Sequence, residues 1–194
     1  SSLFKTLSTT ASPCNVIAIA KTKASRSTSE LLESLDPRQP LTVVLCENLQ
    51  DPGNLGTIIR SSLAFGASAL LLSKGSVDLY NPKVVRAAMG ALFDLPISSG
   101  ESIGDILASL NKASFDVIAL NPEAKQSFVN IEYGPKVAIV LGNEGNGLTA
   151  EADARTAKEA HIEISPQVES LNVAVAASVV LFHINNSKRT IACS

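Results

Sequence analysis

Tryptophan is absent, methionine occurs once, and Phe and Tyr together supply only 4% of the 194 residues. Apolar side chains nevertheless make up 45% of the chain, mostly as Ala, Val, Leu and Ile. That balance suits strands packed between small-residue helices better than a β-sandwich. Cysteine is nearly missing too. Cys14, Cys46 and Cys193 are far apart, odd in number and without a nearby His, which excludes a disulfide framework and a zinc ligand set and favours a reducing, intracellular compartment. His161 and His183 offer no nucleophile–base arrangement, so a hydrolase triad is excluded. The longest apolar run, Val173 to Phe182, falls short of the roughly 20 residues that span a bilayer. A net charge of −2 supplies no global pull toward phosphates. No acidic residue precedes Glu30, whereas Lys5, Lys21, Lys23 and Arg26 do, so the N-terminal stretch is locally positive.

What is present is an alternation of elements. The Ser/Thr-rich start could be read as an organellar transit peptide, but Asn15–Ala20 reads as a short buried strand, and the lack of an initiating Met suggests a processed or truncated chain. Lys21 to Ser29 reads as a linker and Ser29–Leu35 as a short helix, and Pro37 and Pro40 open a new domain. Strands are expected at Leu41–Cys46, Ala69–Leu72, Phe115–Leu120, Val137–Leu141 and His161–Ile164, with a weaker one at Leu95–Ser98. Helices are expected at Asn54–Phe65, Pro82–Leu92, Ser102–Leu110, Thr149–Ala157 and Asn172–Asn185. This predicts an α/β fold with a mainly parallel sheet and helices on both faces. Its ligand site belongs outside the carboxyl ends of the strands.

Three loops at such ends carry unusual sequence. Glu47-Asn48-Leu49-Gln50-Asp51-Pro52-Gly53-Asn54 leads into a helix that Asn54 can cap, with Arg60 farther along. A tight turn with a surface Arg would account for it; so would phosphate or ribose recognition by a forked guanidinium near free backbone N–H groups. Gly142-Asn143-Glu144-Gly145-Asn146-Gly147 permits positive φ and close approach of a ligand, or simply turns a strand into a helix. It lacks the phosphate-loop ending and the dinucleotide glycine spacing. Glu144 is an unusual choice there unless it is solvated or holds a cation or hydroxyl. Glu169-Ser170-Leu171-Asn172 precedes an Ala/Val-rich helix that Ser170 or Asn172 can cap.

Taken together, the three segments resemble the three signature motifs of the SpoU (TrmH-like) RNA ribose 2′-O-methyltransferases, in order and spacing, over about residues 41 to 187. Ala64-Phe65-Gly66-Ala67 after the first motif and Asn81 to Phe93 between the first and second add to the likeness. Where the family shows Ile-Pro-Met, this chain has Ile162-Glu163-Ile164. The resemblance implies the SPOUT α/β knot, in which the C-terminal segment forms a deep trefoil knot. It implies S-adenosyl-L-methionine as donor, a ribose 2′-hydroxyl of tRNA or rRNA as acceptor, no metal and no membrane, and a homodimer. By the same resemblance Asn54, Arg60, Glu144, Ser170 and Asn172 are catalytic. Leu120, Gly142, Ile162, Ile164 and Leu171 hold the cofactor, and Lys83 and Arg86 contact RNA. Residues 1–36 are then the remnant of an N-terminal RNA-binding domain plus a linker, and 37–194 the catalytic domain. The cytoplasm is the first expectation for location, with plastid or mitochondrion open. The alternative is a non-catalytic RNA-binding relative that keeps the fold but has lost cofactor affinity through Glu163.

Overall fold

The computed structural model describes residues 18–22 and 25–192, with side chains through Ser187. Six strands form one sheet: β1 (Leu41–Cys46), β2 (Ala69–Ser73), β3 (Ile97–Glu101), β4 (Asp116–Leu120), β5 (Lys136–Leu141) and β6 (Lys158–Ala160). Their order is β3-β2-β1-β5-β4-β6, and every pair is parallel. Strands β1 and β2 are buried along their whole length, as their unbroken apolar runs require of a sheet covered on both faces.

Each face has its own apolar layer. On one side α2 (Pro52–Ala64), α3 (Pro82–Ala87), α4 (Ala91–Asp94) and α7 (Val173–Ala192) bury residues such as Ile58, Val84, Leu92 and Leu181. On the other, α1 (Thr28–Glu33), α5 (Ile103–Lys112) and α6 (Ala150–Arg155) contribute Leu31, Leu107 and Ala152. Local signals fix the helix starts. Ser27 and Glu30 form a reciprocal capping box on α1, Asn81 caps α3 with Pro82 in its first turn, and Thr149 caps α6.

Five expectations need correction. The strand predicted at His161–Ile164 is instead Lys158–Ala160. His161 makes only an isolated bridge to Ser127, so the apolar alternation of Ile162 and Ile164 reflects two side chains turned into a cavity rather than a ladder. The helix predicted over Pro82–Leu92 breaks between α3 and α4, because Met89 and Gly90 adopt positive φ (49° and 91°). Strand β3 begins at Ile97; Pro96, just before it, has no N–H to donate. Asn54 does not cap α2: Asp51 does, its carboxylate accepting from the Asn54 N–H at 2.8 Å. Of the strand expected at Asn15–Ala20, residues 15–17 lie outside the described residues, and 18–20 are exposed and not in a strand.

The strand order reverses direction between β1 and β5, where Cys46 pairs with Leu141. Two loops leave the sheet side by side at this switch point, which is where parallel α/β sheets open a crevice for ligands.

Candidate active site

Those two loops are Glu47–Asp51 after β1 and Gly142–Leu148 after β5. The second closes on itself: Asn143 N–H donates to Gly147 O at 2.8 Å and Gly147 N–H to Asn143 O at 3.0 Å. The Asn143 carboxamide oxygen accepts from the Gly145 and Asn146 N–H groups, and its amide donates to Asn48 O at 2.9 Å. Gly147 has φ of 68°, and a Cβ on Gly142 would come within 2.4 Å of the Gly147 backbone. Gly142 therefore excludes a side chain on steric grounds, and Gly147 adopts a backbone conformation that favours glycine. Buried Glu47 fastens the far end, accepting from the Thr149 N–H at 3.0 Å and hydroxyl at 2.5 Å.

This closed loop presents Glu144 to the first one. Its carboxylate accepts from Asp51 N–H (3.0 Å), Gln50 N–H (3.2 Å) and the Asn54 amide (3.1 Å). Burial acts to raise the Glu144 pKa, but the Asn54 amide and the backbone N–H groups outweigh it, and the carboxyl lies below its ordinary value. It stays ionised at neutral pH with its oxygens committed to donors, which makes it a clamp rather than a proton acceptor.

The third segment joins the same relay. Asn172 caps α7, its side-chain oxygen accepting from Ala174 N–H (2.9 Å) and Val175 N–H (3.3 Å). That leaves the Asn172 amide to donate to the Asn54 oxygen at 3.0 Å, which in turn orients the Asn54 amide toward Glu144. The chain of donors runs one way, from α7 to α2 to the glycine loop.

Beside the relay lies a cavity of about 510 Å³, within the range typical of small-molecule sites. Of the predicted residues, Asn54, Glu144, Ser170 and Asn172 line it, as do Leu120, Gly142, Ile162, Ile164 and Leu171. Glu163 is exposed and does not. Among the described residues there is no group of three or more His, Cys, Asp or Glu that could hold a metal ion, and no helix long and apolar enough to cross a membrane.

Three predicted residues stand outside the cavity. Arg60 is exposed on α2; six residues from Asn54 is a rotation of about 240° on a helix, so the two do not share a face. It lies one turn beyond Gly56, on the side where α3 packs so closely that a Gly56 Cβ would sit 2.4 Å from Ala87. Lys83 and Arg86 are exposed on α3, and the Lys83 ammonium is 3.7 Å from the Asp51 carboxylate. Other participants went unnoticed in the sequence: Asn143, Gln50, Asp51, Asn121 and His161. Asp51-Pro52 carried a readable signal, since an acidic cap followed by Pro is a strong helix start. Asn143 before a glycine run carried another.

The site is set at the switch point of a parallel sheet and built from three converging loops, the place where doubly wound α/β folds bind their ligands. Residues 41–182 match the SpoU rRNA methylase family, and the chain belongs to that family. It is 36% identical over 159 residues to an uncharacterized tRNA/rRNA methyltransferase of Synechocystis, covering 82% of this chain and 58% of that protein. It is 33% identical over 142 residues to the 23S rRNA (guanosine(2553)-2′-O)-methyltransferase RlmP of Bacillus subtilis, covering 73% and 57%. Among solved structures, the AdoMet-bound rRNA methyltransferase of Sinorhizobium meliloti superposes with a TM-score of 0.77 at 29% identity, covering 85% of this chain and 62% of that one. The chain thus spans little more than half the length of these curated relatives.

Proposed function

We propose that this chain carries the catalytic domain of an S-adenosyl-L-methionine-dependent methyltransferase acting on a ribose 2′-hydroxyl of rRNA or tRNA. The observation that carries the reading is the relay Asn172–Asn54–Glu144 at the rim of the cavity, which joins all three family motifs in one hydrogen-bonded unit. The cofactor fits the site on chemical grounds: the cavity offers an apolar wall at Leu120, Ile162 and Leu171 and a side-chain-free backbone at Gly142. When bound, it supplies a methyl group on an activated sulfonium. The protein's own tasks are alignment and help for a weakly acidic hydroxyl. Ser170, exposed at the rim, and the relay fix the acceptor's approach. Arg60, which stands outside the cavity of its own chain, is given the role of stabilising the developing alkoxide as a permanent cation at the cavity of a second copy, with the proton passing to water or RNA phosphate. The exposed cations Arg60, Lys83 and Arg86 border the α2–α3 contact and form a ridge for phosphates.

A homodimer is part of the same reading. Val175, Val179 and Phe182 recur at helical spacing on α7 and remain 49%, 43% and 52% exposed, with Phe182 packed edge-on against Phe65. A second copy covering this stripe would also bring new groups to Arg60, which its own cavity does not reach. The trefoil knot of the C-terminal segment and an intracellular location, cytosolic or organellar, complete the proposal. Residues 1–36, as the remnant of an RNA-binding domain plus a linker, would precede a catalytic domain from 37, into whose core Leu31 and Leu32 already pack.

The test is incubation of the protein with labelled cofactor and total RNA, followed by mapping of 2′-O-methylated positions. Label in a base or in protein, or none at all, overturns the reading. For the dimer, sedimentation of the protein and of Phe182→Glu checks the stripe: a monomer in both cases contradicts it. Glu163 is exposed and does not line the cavity, so its side chain lends the non-catalytic alternative no support.

A further inference from the structure

We propose that His161 is a cofactor-contact residue, an acceptor for a hydroxyl or amino donor on the nucleoside half of the adenosyl ligand. The inference rests on the function proposed above and adds a contact to it. His161 follows β6 directly and lines the cavity. Its Nδ1 lies 2.9 Å from the Ala124 carbonyl oxygen. A carbonyl only accepts, so Nδ1 carries the hydrogen, and in the neutral ring Nε2 is then a bare lone pair. Nε2 has no partner among the described residues.

The ring is held firmly in this orientation. Its backbone is stitched to the neighbouring loop on both sides, His161 N–H to Gln126 O at 2.9 Å and Phe128 N–H to His161 O at 2.8 Å. The loop holding Ala124 is itself fixed: Ala124 N–H donates to Asn121 O, and the Asn121 side chain accepts from Glu123 N–H and donates to Glu159. The imidazole therefore presents one oriented acceptor beside the apolar Leu120, Pro122, Ala160 and Ile162, where the other polar side chain, Asn121, is already bonded to Glu159 and the Glu123 N–H. Such a wall suits a purine and its ribose; a charged amino-acid tail would lose its hydration there.

Calorimetric titration with S-adenosylhomocysteine and with methylthioadenosine, which lacks the amino-acid tail, tests the assignment. His161→Asn keeps an amide donor near the Nδ1 position and loses the acceptor; His161→Gln places an amide oxygen near the Nε2 position and loses the Ala124 contact. The expected result is a loss of affinity of about 3- to 10-fold in the Asn variant for both ligands, the size of one neutral hydrogen bond, with the Gln variant closer to wild type. Asn at wild-type affinity with Gln weakened would make His161 a loop tether only and overturn the proposal. So would a loss seen with S-adenosylhomocysteine but not with methylthioadenosine. Failure of the wild-type protein to bind either ligand would instead overturn the function proposed above.

Discussion

The cavity wall and the outer face of α2 and α7 are built on opposite plans. At the wall, the polar side chains of the relay are spoken for, with the Nε2 of His161 left open: Asn172, Asn54 and Glu144 pass hydrogen bonds in one direction, and Asn143 closes its loop on itself. On the outer face Arg60 is exposed, and Val175, Val179 and Phe182 lie open. Both regions derive from the same motifs, since Asn54 and Arg60 share one helix and Asn172 caps the helix that bears the open stripe. A finished wall fits a pocket that one chain completes by itself. An unfinished face fits a surface completed by RNA and a second copy. Ligand binding and methyl transfer should then be separable by mutation.

Arg60→Ala is the sharpest cut and the largest expected effect. Removing one preorganised charge from a transition state costs about 10²–10³-fold in turnover, and because Arg60 does not line the cavity, S-adenosylhomocysteine affinity should stay at the wild-type value. Turnover assays beside calorimetry check both halves; equal losses in the two would erase the distinction between wall and face. Glu144→Gln attacks the wall instead. One carboxylate oxygen serves Asp51 and Asn54 and the other serves Gln50, so either orientation of a carboxamide turns an NH₂ toward a donor. Turnover should fall about 10-fold, and here cofactor affinity should fall with it.

The fold was largely legible because its strongest signals are periodic and local. Unbroken apolar runs marked β1, β2 and β5, and the helices expected from Ser102 and Thr149 are α5 and α6, capped by those residues. The errors arose where a tertiary demand outweighs a local pattern. Ile162 and Ile164 alternate like a strand because both face a cavity, and Met89-Gly90 break a helix that the apolar spacing would have continued. At the site, motif likeness located the relay residues but could not supply their wiring. That depends on Asp51 taking the cap, which frees the Asn54 oxygen to accept from the Asn172 amide. Nor does sequence spacing reveal that Arg60 leaves the cavity, since a six-residue separation places it on another face only once the helix is fixed.

The smallest expected effect probes whether the wall's rigidity depends on the opposite end of the sheet. Asp116 opens β4 and accepts from the Lys158 ammonium at 2.7 Å and from Gly134 N–H at 2.6 Å. The Lys158 side chain, and then the Gly134 N–H, hold its carboxyl below the ordinary 3.8, against the opposing effect of burial. A carboxylate with a depressed folded-state pKa contributes stability that is fully present above its unfolded value and is lost as the pH falls through the folded one. Acid unfolding of the wild type should therefore steepen below about pH 4. In Asp116→Asn that part of the slope should flatten, with a modest loss at neutral pH because the pair is partly solvent-screened. Circular dichroism melts from pH 3 to 7 would show it. Cofactor affinity at pH 7 should not move, because Asp116 lies at the strand end opposite the cavity and neither it nor Lys158 lines it; if it falls, the wall is not self-contained, and the contrast with the open face loses its basis.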